Sequence, residues 1–231
     1  MKNHLFFDTM IRRKFAWMRL HRSERLKRMK KTFALCLCCL TVILLVACGQ
    51  SQLAGSYQTT TIEALKDGSL NYYLVDTFEK EYYELAGLAD LAKDEVAKFQ
   101  EENRSASADC VRVTSVEMVE GAKDLVSVNY RFADSASFEK FNHCLFYHGT
   151  VGEALDQKIK MLSGYRKVKD QSVVAEIEVR NSRDSRMIIT DQKCVLYCEL
   201  KPYCVSEGVT VLEDGGLDLR ECKGNAYIIF K

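Results

Sequence analysis

The sequence predicts an α+β fold: mostly antiparallel sheet with two or three helices packed on one side and a β-rich C-terminal part. Three observations carry this reading. Runs rich in Thr, Tyr, Ile and Val are separated by Asp-Gly turns, Lys66-Asp67-Gly68-Ser69 and Glu213-Asp214-Gly215-Gly216. The segment 85–102 spaces Leu88, Leu91, Ala92, Val96 and Phe99 at steps of three and four, with Asp94, Glu95, Lys98 and Glu101 between them. The last third reads almost entirely as strands.

In chain order, 57–65 and 70–78 form a hairpin, because Asp67-Gly68 supplies the positive φ that a tight turn needs. The helix 85–102 follows and stops at Asn103 and Ser105. Residues 110–119 and 125–132 are strands around the turn Glu120-Gly121-Ala122-Lys123, and 135–142 is a short helix holding Phe138 and Phe141. A second short helix is expected over 152–162 from Ala154, Leu155, Ile159 and Leu162. Strands are expected at 173–179, 187–190, 193–200, 209–212 and 217–220, with 202 closing one of them. The closing run Tyr227-Ile228-Ile229-Phe230 is expected to be a central strand covered on both faces, since an exposed edge of that composition would aggregate.

The formal net charge of +1 over 231 residues conceals two parts. Residues 1–31 hold 11 Lys/Arg against Asp8 and Glu24, a net of +9, so the remainder carries −8. An acidic body does not present the basic face that nucleic acid requires, so no nucleic-acid partner is expected. A content of 47% hydrophobic and 28% charged residues excludes wholesale disorder.

Lys30 and Lys31 precede an uncharged run from Phe33 to Ala47, short for a bilayer core that takes about 20 helical residues. It has the length and flank of a secretory signal. The run ends in Leu45-Val46-Ala47-Cys48, which resembles the lipobox of bacterial lipoproteins. The resemblance implies a diacylglyceryl group on Cys48, which becomes the first residue of the mature chain. Two acyl chains hold a protein stably on a membrane where one does not. The organisation expected is therefore a basic extension at 1–28, a signal peptide at 29–47, a tether at 48–59 and one extracytoplasmic α+β domain at 60–231, with a division near 163–172 left open. The extension is either a membrane-attracted segment or upstream of a true start at Met29.

The folded part looks like small lipoproteins of Gram-positive, largely gut-dwelling anaerobes. The residues that carry the likeness are Asp67-Gly68, Phe78, Tyr82 and Tyr83, Phe138, Phe141-Asn142, Tyr147-His148-Gly149-Thr150-Val151 and Tyr227-Ile228-Ile229-Phe230-Lys231. That family implies location at the outer face of the cell membrane and a fold class, but no activity.

Cys110, Cys144, Cys194, Cys198, Cys204 and Cys222 stand mostly among aliphatic and aromatic neighbours, as buried thiols do; a Cys198–Cys204 disulfide across Pro202 is the other reading. Zinc would draw on Cys194, Cys198, Cys204 and Cys222 or on His143, Cys144 and His148, but neither set has the spacing of a knuckle. There is no G-x-S-x-G elbow, P-loop or dinucleotide fingerprint, and no cofactor is expected. The aromatics Tyr72, Tyr73, Phe78, Tyr82 and Tyr83, and Phe138, Phe141, Phe146 and Tyr147, are core if they face one another. If they line a groove, Tyr82, Tyr147 and His148 are its candidate residues, for a peptide, glycan or protein ligand. The function expected is a membrane-anchored extracytoplasmic lipoprotein with a non-enzymatic binding or scaffolding domain. The alternatives are a hydrolase with its site near 143–148 and a subunit of a surface assembly.

Overall fold

A computed structural model describes residues 57–79, 84–103 and 109–231. The described residues form one compact unit. The strands are β1 (Thr61–Ala64), β2 (Leu70–Thr77), β3 (Val111–Met118), β4 (Leu125–Phe132), β5 (Phe146–Thr150), β6 (Gly164–Lys167) and β7 (Val173–Ala175). They continue as β8 (Arg186–Thr190), β9 (Val195–Cys198), β10 (Pro202–Val205), β11 (Thr210–Val211), β12 (Leu217–Asp218) and β13 (Ala226–Phe230). The helices are α1 (Leu85–Glu102), α2 (Ser135–Asn142), α3 (Val151–Asp156) and α4 (Glu176–Asn181). The fold is α+β with a β-rich C-terminal part.

Two sheets result. The first has seven strands in the order β11-β12-β9-β1-β2-β4-β3, the second six in the order β5-β8-β13-β10-β6-β7. Pairing is antiparallel except between β1 and β9, which run parallel with Glu63 opposite Tyr197. The hairpin turn between β1 and β2 closes at Gly68 with φ +88°, a conformation that a side chain would strain.

One apolar cluster joins the two sheets and a second covers the other face of the second sheet. Ile62, Tyr72, Val128 and Phe132 of the first sheet meet Phe146, Ile188, Ile228 and Phe230 of the second in one core, which Ala92 and Val96 of α1 and Phe138 of α2 complete. The opposite face of the second sheet, through Met187, Ile189, Tyr227 and Ile229, joins Val151 and Ala154 of α3 and Val179 of α4. The helices thus divide between the clusters. β13 lies between β8 and β10 with all five residues buried, as its unbroken apolar run requires.

The two aromatic groups do meet. Tyr72 packs edge-on against Phe138 at 5.3 Å, and Phe138 against Phe132 and Phe146 at 5.0 Å each. Tyr73, one residue on, faces the other side of the sheet.

Five segments differ from the sequence reading. The strand expected at 173–179 is only Val173–Ala175 before α4 begins. Valines and an isoleucine suggested alternation, but Glu176 and Glu178 in the first turn and Arg180 in the last favour a helix, and Arg180 pairs with Glu176 at 2.6 Å. The helix expected over 152–162 ends at Asp156, because Lys158 turns left-handed with φ +58°. The Ile159 N–H then donates to Ala154 O and the Lys158 N–H to Leu155 O, a Schellman closure. Pro202, read as a terminator, instead begins β10, where a first position needs no N–H donor. β5 and β6 were not anticipated as strands; residues 163–172, where a division was open, carry β6 within the second sheet.

Candidate functional site

Cys48 and Tyr82 lie outside the described residues, as do the extension, signal and most of the tether. Tyr147 and His148 are neighbours on β5, so their side chains leave the sheet on opposite faces. Tyr147 stands opposite Ile189 and packs with the second cluster; its hydroxyl donates to Thr150 O at 2.7 Å. Its ring lies over Gly149, where an added Cβ would come within 2.7 Å of Cζ. His148 stands opposite Ile188 and faces the first cluster's side of the sheet. The structure does not bring these two residues into one groove.

His148 lines a cavity of about 270 Å³ at the seam between the sheets. Its floor is the second sheet, with His148 of β5, Arg186 and Ile188 of β8 and Phe230 of β13. These positions are adjacent in register: His148 opposes Ile188, and Arg186 opposes Phe230. The roof comes from the first sheet, Ala64 to Lys66 at the β1–β2 turn and Cys198 to Leu200 at the end of β9.

The polar groups of this cavity are few and specific. His148 Nδ1 is buried and has no hydrogen-bond partner. Burial first, and then the charge of Arg186, lower the His148 pKa below its ordinary value; Asp67 acts weakly the other way. The imidazole is therefore neutral near pH 7. The Lys66 N–H donates to Glu199 Oε2 at 3.0 Å. Asp67 accepts from the Ser69 N–H at 2.9 Å and from its hydroxyl, and faces Arg131 at 3.8 Å.

A second, larger groove of about 570 Å³ runs between α1 and the first sheet. Leu74, Val126 and Val128 form its floor, and Leu88 and Leu91 one wall. Leu91, expected on the buried face of α1, is 68% exposed here. Phe78 also lines it, and its acids, Asp76 and Glu84, are exposed.

The outer face of the first sheet carries a polar network that sequence reading missed. Glu63 is 3% exposed. It accepts from Tyr57 Oη at 2.8 Å, Asn71 Nδ2 at 2.7 Å and Tyr73 Oη at 3.2 Å. The rings of Tyr57 and Tyr73 meet edge-on at 4.9 Å, and Tyr197 lies 5.5 Å from Tyr57. Three protein donors thus satisfy the buried carboxylate, which marks a structural clasp.

The thiols are unpaired: Cys110, Cys194, Cys204 and Cys222 are buried and Cys144 and Cys198 half-buried. Cys198 packs against the first cluster and Cys204 lies in the second, so the pair read from the sequence faces different cores. Burial pushes Cys144 up to about 12, with Asp191 and Glu139 adding to it, and Cys194 to about 12. A nucleophilic thiol needs the opposite shift. His143 ends α2 in the left-handed region with φ 50° and points into solvent. Among the described residues no three His, Cys, Asp or Glu converge as a metal site requires.

No protein-family model matches the chain, and no curated protein or solved structure matches it either.

Proposed function

We propose that the chain is a lipoprotein held at the outer face of the cell membrane through Cys48, and that its folded body is a non-enzymatic binding domain whose ligand sits in the seam cavity at His148. The observation that carries the binding reading is a concave, largely apolar cavity lined by His148, a residue whose buried Nδ1 has no partner among the described residues. Buried polar atoms in folded proteins are almost always satisfied, and a small apolar pocket with few polar groups is the usual form of a ligand site. The raised Cys144 thiol supports binding over hydrolysis near 143–148.

Two experiments test the two parts. Replacing Cys48→Ala releases the body from membranes or leaves the signal uncut; a processed chain that stays membrane-bound ends the anchor reading. For the cavity, the thermal midpoint of the full chain is measured against neutral, cationic and anionic small amphiphiles. At least one class raises it, and Leu200→Trp, which fills the roof, abolishes the rise. If no class moves the midpoint, the binding reading fails.

A further inference from the structure

We propose that the seam cavity takes a small apolar monocarboxylate, its carboxylate on the Arg186 guanidinium and the His148 ring and its tail against Ile188, Leu200 and Phe230. The inference rests on the binding reading above and adds the chemical class of the ligand.

Arg186 is the first support. It is half-buried at the start of β8, yet its guanidinium makes no ion pair and no hydrogen bond among the described residues. Arg183, Arg220 and Arg180 are paired, with Asp156 at 2.7 Å, Asp218 at 2.6 Å and Glu176 at 2.6 Å, while Arg112 and Arg166, which have no such partner among the described residues, are exposed to water where Arg186 is half-buried. A planar guanidinium presents parallel donors that match a carboxylate in a two-pronged contact. His148 is the second. Its ring lines the cavity, and a neutral imidazole can turn an N–H donor toward a carboxylate oxygen there.

Charge sets the valence. Arg186 and Lys66 are the cations that line the cavity and Glu199 the anion; Asp67, whose charge also reaches His148, is engaged by Ser69 and Arg131, and Glu153, whose charge reaches Arg186, lies outside the lining and accepts from the Thr150 N–H. The residual charge of +1 balances one carboxylate and not a phosphate dianion. The remaining wall, Ala64, Leu65, Ile188, Leu200 and Phe230, is apolar and gives a bare inorganic anion nothing to bind on that side. A volume of about 270 Å³ accommodates a short aliphatic or single-ring tail and is too small for a folded peptide segment.

The test titrates hexanoate and its neutral isostere hexanamide into the full chain in lipid nanodiscs by calorimetry, with empty discs as the blank. Hexanoate binds; hexanamide, and hexanoate with Arg186→Gln, bind at least about tenfold more weakly. Because Arg186→Gln could disturb β8, the wild-type ring is followed as well. The His148 resonance, assigned by its loss in His148→Gln, shifts with hexanoate and stays put with hexanamide. Equal affinity for the two probes, or a His148 resonance unmoved by hexanoate, overturns the inference. Equal affinity leaves the binding reading standing, whereas silence of every amphiphile class in the thermal series removes that reading itself.

Discussion

The two sheets of this domain solve burial differently. The second is covered on both faces: Ile188, Ile228 and Phe230 enter one core, and Met187, Ile189, Tyr227 and Ile229 the other. The first has one apolar face, and its opposite face is a polar clasp centred on Glu63. Apolar contact specifies the second sheet through shape and volume. Hydrogen-bond geometry specifies the outer face of the first, where a single missing partner strands several donors. The seam cavity lies between the two sheets, where Ile188 and Phe230 of the second and Ala64 and Leu200 from the edge of the first leave Arg186 without a partner among the described residues.

The largest effect is expected at the core that the two sheets share. Phe138 is fully buried and touches Tyr72, Phe132 and Phe146, so it links both sheets. Phe138→Ala is expected to cost about 3–5 kcal/mol, read from urea denaturation of the full chain. A cost below about 1 kcal/mol would mean that the sheets do not share that core. Ile229→Ala, on the other face of the second sheet, is expected to cost about 2–5 kcal/mol while leaving the first cluster intact.

The polar face gives a smaller effect with a spectroscopic signature. Glu63→Leu leaves Tyr57, Asn71 and Tyr73 without their acceptor and is expected to cost about 1–3 kcal/mol. Tyr73 is pushed up to about 12 by burial, and then by the charge and hydrogen bond of Glu63. In the variant burial remains and the carboxylate is gone, so the Tyr73 phenol titrates part of the way back toward 10 in an ultraviolet pH titration. An unchanged tyrosine titration would reassign the network to a purely steric role.

The sequence reads unevenly along these same lines. The β1–β2 hairpin, α1, β4, α2 and β13 were legible because each has a strong local cause: a Gly68 turn, a 3.6-residue period, strict alternation or an unbroken apolar run. Segments whose local signal contradicts their tertiary setting were not. Val173, Val174, Ile177 and Val179 look like a strand, and tertiary packing of Val174 and Val179 on one cluster allows a strand to pass directly into a helix. In the site, His148 stood out as one of two histidines after Cys48. Arg186 did not, because its place beside His148 follows from β5 pairing with β8, and no residue pattern announces that pairing. Glu63 was hidden for the same reason, since its donors come from β2 and from Tyr57. Strand order is a property of the whole chain, so residues that depend on it are read last.

The smallest effect tests the seam itself. The folded domain holds the His148 pKa below its ordinary value of 6.5, chiefly through burial and then through Arg186. Above that value the ring is neutral in both folded and unfolded chains and adds no pH dependence. As pH falls below it, the unfolded chain takes up the proton first, so the unfolded state gains and stability declines until the folded value is reached. The thermal midpoint of the wild type is thus expected to drop on acidification from pH 7 toward pH 5.5 by more than that of His148→Gln. Subtracting the two curves removes the groups they share, including the charges of Arg186, Lys66, Glu199 and Asp67 around the ring. Bound hexanoate works against the decline, because a carboxylate beside the imidazole favours its protonated form. The wild-type curve should flatten in saturating hexanoate and keep its slope in hexanamide. A wild-type curve parallel to that of His148→Gln would place the ring in water and leave the seam without its polar end.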